Sequence, residues 1–361
     1  MTTSRSAPGS VRPSISPSAA LATYERLVRW RAAVLVALCL LLLGAVLLDV
    51  SSGSSAIGMR DVLHALLWPA ASERSTVVIV WEVRLVPAIM AVMVGAALAL
   101  AGAEMQTILN NPLASPFTLG VSSAASLGAA LAMILGVGVP FIPASWLITG
   151  NAFLFALLSV ALLQSLTRLR GAGVESLVLF GIALVFTFNA LVALVQFVAT
   201  ADALQQLVFW GMGSLSRATW GTIAILAVVI AVTFPLAMRA AWQLTSLRLG
   251  EERARSFGVD VKWLRFTALV RISLLTATAV AFVGTIGFIG LIGPHIARLL
   301  IGEDHRFFLP ASALSGALVM SLADMASKTL IPGVIIPIGI VTSLVGLPIF
   351  FALIVRKLGH A

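Results

Sequence analysis

Long apolar stretches alternate with short polar segments along almost the whole chain. A helix that crosses a bilayer needs roughly 20 mainly apolar residues, and ten stretches approach that length. They lie at about residues 32–48, 84–109, 117–138, 146–168, 175–199, 220–239, 266–284, 284–302, 308–330 and 337–355. This pattern predicts an all-α integral membrane protein of about ten transmembrane helices.

Two groups of four spans frame the span at 220–239. The first group covers residues 84–199 and the second covers 266–355. Because one span separates them, the two groups enter the membrane from opposite sides, as inverted repeats do in transporters. The hydropathy pattern therefore allows an inverted repeat of helices 2–5 and 7–10.

The polar segments predict the rest of the organisation. Residues 1–24 are rich in Ser, Pro, Thr and Ala without periodicity, and we expect a disordered cytoplasmic tail followed by a single ten-helix domain at 25–361. The run at 32–48 resembles the apolar region of a signal peptide but is long for one, so we interpret it as the first helix. Residues 49–82 predict a loop with a short interfacial helix near 59–68, and a second polar loop spans about 246–265.

Composition and charge support this topology. Hydrophobic residues make up 60% of the chain and charged residues 10%, which excludes an ordinary soluble domain. The net charge of +9 would suggest a nucleic-acid partner in a soluble protein, but here the cations must lie in loops. With both termini inside, all but five of the 23 Lys and Arg fall on the inner side, which the positive-inside rule favours. The five outer cations are Arg60, Arg74, Arg84, Arg217 and Lys328.

The inner loop contains a short helical signal. Glu251–Ser256 is charged and bounded by Gly250 and Gly258, residues that suit a helix start and stop. A short helix between two spans could dock a soluble partner, or it could be a solvated, cation-rich loop. The residues by themselves leave both interpretations open.

Closely spaced glycines mark a second unusual segment. Gly284, Gly287, Gly290 and Gly293 recur every three residues and are followed by Pro294. Each glycine inside a helix costs about 0.5–1 kcal/mol relative to alanine. We expect either close packing against another helix or a helix break beside a cavity.

The motifs of the sequence give little support for a catalytic role. The chain lacks a Gly-Lys-[Ser/Thr] phosphate loop and metalloprotease or hydrolase motifs, so it is not expected to be an enzyme. The four histidines are scattered and Cys39 is the single cysteine, so we expect no metal site, disulfide or resident cofactor. Glu104 and Asp324 lie inside spans and are functional candidates. Two isolated carboxylates are weak evidence for an ion-driven secondary transporter.

Five segments together resemble a known family. They are VRLVPAIMAVMVGAALALAGAEMQTILNNPLASPFTLGVSSAASLG (83–128), FWGMGSLSRATW (209–220), LRLGEERARSFGVDV (247–261), VGTIGFIGLIGPHIARLLIGEDHRFFLPASALSGALVMSLAD (283–324) and PIGIVTSLVGLPIFFALIVRK (337–357). In order and spacing they resemble the membrane permease of bacterial ABC importers for iron–siderophore complexes, haem and vitamin B12. The resemblance runs from about residue 30 to the C-terminus.

The resemblance implies a transport assembly in the bacterial inner membrane. The permease would pair with a second copy or a homologous permease and bind two ATPase subunits, which hold the ATP and Mg²⁺. An extracytoplasmic substrate-binding protein would deliver the cargo, expected to be an iron–siderophore complex, with haem and cobalamin as alternatives.

The resemblance also assigns roles to residues. The ATPase-coupling helix would carry Gly250, Glu251, Ala254, Arg255 and Gly258, and the cytoplasmic gate would be Gly173, Val174, Glu175 and Ser176. Outward-facing Arg84 and Lys328 would contact the binding protein. The chain has one arginine in Arg84-Leu85-Val86-Pro87 where relatives read Arg-Leu-Pro-Arg, and it has Ile336 where many relatives carry Glu.

Overall fold

The computed structural model describes residues 17–53, 57–138, 143–169 and 174–358, and within these ranges the regular structure is entirely helical. The α-helices are α1 (Pro17–Ser51), α2 (Met59–Leu67), α3 (Arg74–Val78), α4 (Leu85–Ile108), α5 (Val121–Leu135), α6 (Leu147–Leu169), α7 (Val174–Phe197), α8 (Ala201–Gly211), α9 (Trp220–Arg239), α10 (Ala241–Arg248), α11 (Glu251–Ser256), α12 (Val261–Val283), α13 (Ile289–Ile301), α14 (His305–Thr329) and α15 (Ile338–Leu358).

The predicted membrane spans are present. Among the described residues, seven helices are long and apolar enough to cross a membrane, and shorter apolar helices lie at Val121–Leu135, Ile289–Ile301 and Ile338–Ala352. Each of the ten predicted spans corresponds to one of these helices. The all-α membrane fold is therefore confirmed.

Two helices begin earlier than predicted. The helix α1 starts at Pro17, so residues 17–24, which the composition places in the disordered tail, are helical, while residues 1–16 lie outside the described part. A π-helical turn at Ile79–Arg84 joins α3 to α4, so the second span begins at Arg74 rather than at 84. Arg84 therefore lies inside a continuous helix, where its guanidinium donates to backbone carbonyl oxygens at the end of α1.

Two short helices were missed by the hydropathy pattern. The helix α8 follows α7 after a short break, and its N-cap Thr200 accepts a hydrogen bond from the backbone N–H of Ala203. The helix α10 follows α9 with only Ala240 between them. Both are too short and too polar to register as spans. A helix near 59–68 is present as α2, and its interfacial position stays a prediction.

The glycine-rich segment contains both features that we considered. The break lies between α12 and α13, where Gly284 has φ 83° and Phe288 has φ 67°, so α13 starts at Ile289 and not at 284. Beyond the break, a side chain on Gly293 would meet Ala99 Cβ at 2.6 Å. Gly287 belongs to the break and has open space around its α-carbon, and Pro294 lies inside α13.

The helices α4 and α12 form the buried centre of the bundle. A side chain on Gly102 of α4 would meet the α-carbon of Gly290 in α13 at 2.8 Å, so these backbones touch. An ion pair between Glu104 of α4 and Arg271 of α12 joins the two central helices, with side chains 0% and 7% exposed. Arg271, which we counted among the inner-loop cations, therefore lies within the bundle. The inverted repeat stays a prediction.

Candidate functional site

The short helix α11 stands apart from the spans on a turn built by glycines. Gly250 has φ 111° and Gly258 has φ 82°, conformations that residues with a side chain rarely adopt. A Cβ added to either glycine would meet no atom within 4 Å, so backbone geometry rather than crowding requires glycine there. Ala254, by contrast, is fully buried and anchors α11 against the bundle.

Glu251 ties this helix to the central bundle. Its carboxylate accepts hydrogen bonds from Arg255 at 2.6 Å and from Arg265 of α12 at 2.7 Å. The Nε of Arg265 also donates to the carbonyl oxygen of Ile108 at the end of α4, at 3.3 Å. The N-terminal end of α11 is thus fixed to both central helices.

The outer surface of α11 is free to meet a partner. Glu252, Arg253 and Ser256 are exposed, and the Arg255 side chain is 60% exposed despite its bond to Glu251. Phe257, just after the helix, is 55% exposed. Exposed arginines beside an exposed aromatic ring are typical of a protein–protein contact. We call the end of the bundle that carries α10, α11 and the turn at 302–304 the coupling face.

A network of ion pairs covers the rest of the coupling face. Glu303 accepts hydrogen bonds from Arg248 at 2.5 and 3.2 Å and from Arg298 at 2.9 Å. Arg248 also donates to Asn110 at 2.7 Å, and Arg298 donates to Gln106 at 2.8 Å. Burial favours the neutral acid, but the two arginines outweigh it and hold the pKa of Glu303 below its ordinary value.

His305 links three helices beside this network. Its ring nitrogens lie 2.7 Å from the hydroxyl of Thr107 in α4 and 3.2 Å from the hydroxyl of Thr245 in α10. The side chain is completely buried and its ring packs edge-on against Phe308. The position of His305 as the first residue of α14 joins that helix to α4 and α10.

The first half of α1 also meets this face. Arg31 donates to the carboxylate of Asp304 at 2.9 Å and to the carbonyl oxygen of Ile301 at 3.1 Å. Arg306 donates to the same carboxylate, and this hydrogen bond together with the nearby charges holds the pKa of Asp304 below its ordinary value. The N-terminal part of α1 therefore lies at the same end as α11.

The opposite end of the bundle is organised differently. Lys328, near the far end of α14, lies 2.9 Å from Asp49 and 2.5 Å from Asp324. Its side chain is 11% exposed, and those of the two aspartates are 0% and 4% exposed. The expectation of an outward-facing Lys328 is wrong, because two buried carboxylates need its charge.

Arg84 is likewise turned inward. It is 4% exposed, and its guanidinium donates to the carbonyl oxygens of Val50 and Ser51 at 3.2 and 3.1 Å. These carbonyls end α1 and have no later helical N–H to accept from. Arg84 is thus a cap on α1, and the expectation that it faces outward is also wrong.

A large cavity opens at this end, and we call it the distal cavity. Its volume is about 1240 Å³. Polar residues that can donate or accept hydrogen bonds line part of the wall; among them are Thr149, Gln205, Gln206, Ser214, Ser216 and Thr222. The charged lining residues are Glu82, Arg217, Asp324 and Lys328, two acids and two bases. Arg217 donates to the carbonyl oxygen of Trp210 at 3.3 Å and lies over its ring.

The predicted gate is only partly described. Gly173 lies outside the described residues, and Val174 is the first residue of α7. Glu175 is exposed in the first turn of α7, where the helix dipole stabilises a negative charge. The segment lies at the start of a helix whose other end leads through α8 to the distal cavity, which places it toward the coupling face.

Comparison with known proteins decides the family. The sequence model of the FecCD transport family matches residues 40–356. The chain belongs to the FecCD transport family. It is 36% identical to the hemin transport system permease of Yersinia pestis over 84% of this chain and 91% of that protein. It is 35% identical to the vitamin B12 import system permease of Salmonella paratyphi A over 92% of this chain and 97% of that protein.

A solved structure supports the same assignment. A metal-chelate type ABC transporter, determined in an inward-facing conformation, is 30% identical with a TM-score of 0.79 and covers 90% of this chain and 99% of its own. FecCD family members are integral membrane permease subunits of ABC importers for metal chelates, haem or vitamin B12, and this chain is one of them. ATP hydrolysis belongs to a separate subunit, so the chain is not an enzyme.

Sequence reasoning missed the residues that connect the coupling face. Glu303, Arg298, His305 and Arg248 were part of the charge count or of a motif but had no role assigned. The string Gly-Glu-Asp-His-Arg at 302–306 was the available signal, because four consecutive polar residues lie at the junction of two apolar helices. Their partners lie up to about 200 positions away in the sequence, and only the fold brings them together.

Proposed function

We propose that the chain is the permease subunit of an importer for an iron–siderophore complex. It pairs with a second copy or a homologous permease, and two ATPase subunits that bind ATP and Mg²⁺ dock on α11 at its coupling face. A substrate-binding protein delivers the chelate at the opposite end. The observation that carries this proposal is α11, a short helix held at its foot by Glu251 and Ala254 with an exposed basic and aromatic surface.

The geometry of α11 suits a transmitting element. Gly250 and Gly258 define its ends, and Ala254 and Glu251 fix it to the bundle, while Arg255 faces outward. When ATP closes the ATPase pair, a helix wedged between the ATPases would move with them and tilt the spans, an alternating-access motion. The segment 173–176 remains our candidate for the gate that opens in response.

The distal cavity supports a chelate of low net charge. Its volume of about 1240 Å³ exceeds the roughly 300–1,000 Å³ of ordinary small-molecule pockets, so it has room for a bulky chelate. The charges of the two bases and two acids in the wall cancel, so the cavity offers no excess positive charge to a dianionic haem. Its amide and hydroxyl groups suit the oxygen-rich surface of a siderophore. Cobalamin and haem stay as second candidates because related permeases carry them.

The charges also support an orientation. The coupling face carries Arg31, Arg248, Arg255 and Arg298 together with the N-terminal part of α1. Under the positive-inside rule this face is cytoplasmic, and we propose that both termini are cytoplasmic in an inner membrane. Since Arg84 and Lys328 are used internally, exposed Arg60 and Arg74 are better candidates for contacts with a binding protein.

An ion-driven carrier is the alternative that the ion pairs disfavour. Such a carrier needs a membrane carboxylate that can gain and lose a cation. Glu104 is paired with Arg271, and Asp324 shares Lys328 with Asp49, so each of the two carboxylates already has a cationic partner.

Co-purification tests the ATPase partnership. We expect an ATPase to co-purify with the tagged chain in mild detergent and the Arg255→Glu variant to lose it while its expression stays normal. Lys262→Glu is the matched control, because it makes the same charge change at an exposed site in the first turn of α12. An unchanged amount of ATPase with Arg255→Glu would contradict the coupling role.

Uptake measurements test the cargo. Cells that depend on this chain would be offered a radioiron-labelled ferric hydroxamate, hemin or labelled cyanocobalamin at equal concentration. We expect chain-dependent uptake of the ferric hydroxamate. Uptake of hemin or cyanocobalamin alone would replace the siderophore with that ligand and leave the importer assignment standing.

A further inference from the structure

The joint between α10 and α11 is narrow. Only Leu249 and Gly250 separate the two helices, and Gly250 holds a backbone conformation open to little but glycine. Two residues span at most about 7 Å, so a displacement of α11 is carried over to α10. Motion of α11 can reach the bundle only through contacts that fix each side of the joint.

Each side of the joint has its own ionic anchor. On the α11 side, Glu251 is bonded to Arg265 of α12. On the α10 side, Arg248 forms a bidentate ion pair with Glu303, with nitrogen–oxygen distances of 2.5 and 3.2 Å. A bidentate arginine–carboxylate pair fixes the relative orientation of the two side chains as well as their distance. The α10 side is therefore locked in orientation to the turn between α13 and α14.

Glu303 also connects α10 to two further helices, α13 and α4. Arg298 of α13 donates to the same carboxylate at 2.9 Å and reaches Gln106 of α4 at 2.8 Å. Two residues beyond Glu303, His305 begins α14 and contacts both α10 and α4. A displacement of α10 thus acts on α4, α13 and α14 through one carboxylate and its neighbours.

The helix α14 leads from this turn to the distal cavity. It has 25 residues, which corresponds to a rod about 37 Å long. Asp324, Ser327 and Lys328 near its far end line the cavity. Because α14 is continuous from His305 to Thr329, with Pro310 in its second turn, a displacement at His305 can be transmitted along it to the cavity wall.

Stability alone does not explain this cluster. The side chains of Arg248 and Glu303 are 18% and 38% exposed. Ion pairs that water can reach contribute little to folding. The value of the cluster lies in the geometry that it imposes between elements.

We propose that Glu303 is a positioning residue that locks α10 to the α13–α14 turn and so converts displacement of the coupling helix into movement of the distal cavity wall. The proposal rests on the docking of an ATPase on α11. It assigns a role in transport to Glu303, Arg248 and Arg298, which connect α10 to α13 and α4.

Thiol accessibility tests the proposal without knowledge of the cargo. A single reporter, Ser216→Cys in the exposed wall of the distal cavity, is placed in a Cys39→Ala background, which removes the one native cysteine. The alkylation rate by a membrane-impermeant maleimide is measured on the assembled permease–ATPase complex, with and without ATP, Mg²⁺ and vanadate. ATP hydrolysis is measured on the same samples.

We expect nucleotide to change the alkylation rate about fivefold or more in the reporter background. With Glu303→Gln added, we expect a change below about twofold while ATP hydrolysis and complex assembly persist. Arg248→Gln should give the same loss, and the double variant should be no worse than either single one, because both break one lock. Arg306→Gln is the control, since its side chain is 55% exposed and its partners, Asp304 in the same turn and Tyr24 of α1, lie outside the bond between Arg248 and Glu303.

Three results would overturn the proposal. The first is a nucleotide response of normal size in both Glu303→Gln and Arg248→Gln. The second is an equal loss in Arg306→Gln, which would indicate general loosening of the turn. The third is the absence of any co-purifying ATPase or nucleotide response in the reporter background, which would overturn the coupling role of α11 as well and so separates the two failures.

Discussion

The two ends of the bundle use their cations in opposite ways. On the coupling face, Arg255 is bonded to Glu251 and still presents 60% of its side chain to a partner. At the distal end, Lys328 is enclosed by Asp49 and Asp324, and Arg84 caps the last turn of α1. All three residues match a family pattern for docking. A matching cation is available to a partner only where the fold does not already need its charge.

The Lys328 site should show the largest effect on stability. Lys328→Met leaves two buried aspartates without their cation, and we expect the free energy of unfolding to fall by about 3–5 kcal/mol. Thermal unfolding of the purified chain in detergent measures this loss. Arg306→Met, on the same helix at the coupling face with a side chain 55% exposed, should cost less than about 1 kcal/mol.

The Lys328 prediction can be checked from its other side. Adding Asp49→Asn and Asp324→Asn to Lys328→Met removes the stranded charges, so part of the lost stability should return. If Lys328→Met melts at the same temperature as the unaltered chain, then the buried triad has no structural role and the contrast between the two ends fails.

Arg84 should show the next largest effect. Arg84→Gln removes charge-assisted hydrogen bonds to the carbonyls of Val50 and Ser51, and we expect a loss of about 1.5–3 kcal/mol. Arg74→Gln is the matched control, because Arg74 is exposed on the same continuous helix. Reduced affinity for the binding protein in Arg84→Gln at full thermal stability would instead restore the docking role.

The sequence predicted the spans well because transmembrane helices follow from length and apolarity alone. The span at 220–239 coincides with α9, and the segment 251–256 coincides with α11. Hydropathy could not show that α13 begins only at Ile289, because the break depends on the backbone conformations of Gly284 and Phe288.

The partners of the charged residues were the part that the sequence could not provide. Arg271 and Arg84 are conspicuous cations, yet their partners Glu104 and Val50 lie 167 and 34 positions away. Motif matching identifies a residue type at a position and does not include burial. Of the predicted coupling residues, Arg255 lies on the surface and Ala254 is buried, whereas Arg84 and Lys328 do not face outward as expected.

Acid should weaken the coupling face in a defined direction. The pKa values of Glu303 and Asp304 are lower in the folded chain than in the unfolded chain, because arginines stabilise their charged forms. Their contribution to stability is therefore complete above the pKa values of unfolded Glu and Asp, about 4.3 and 3.9, and is lost as the pH falls through the lower pKa values of the folded chain. Melting temperatures across this range should fall less steeply in Glu303→Gln, and identical slopes would contradict the prediction.

The smallest effect on stability should come from the residue with the largest proposed role in coupling. Arg255→Gln breaks an exposed i,i+4 pair, and we expect the free energy of unfolding to change by less than about 0.5 kcal/mol. Arg265→Gln is the sharpest comparison, because Arg265 binds the same carboxylate of Glu251 but is 16% exposed and also holds the end of α4. That variant should lose about 1 kcal/mol or more. If the two variants lose equal stability, Arg255 is a structural residue of α11, and its availability to an ATPase no longer distinguishes the coupling face from the distal end.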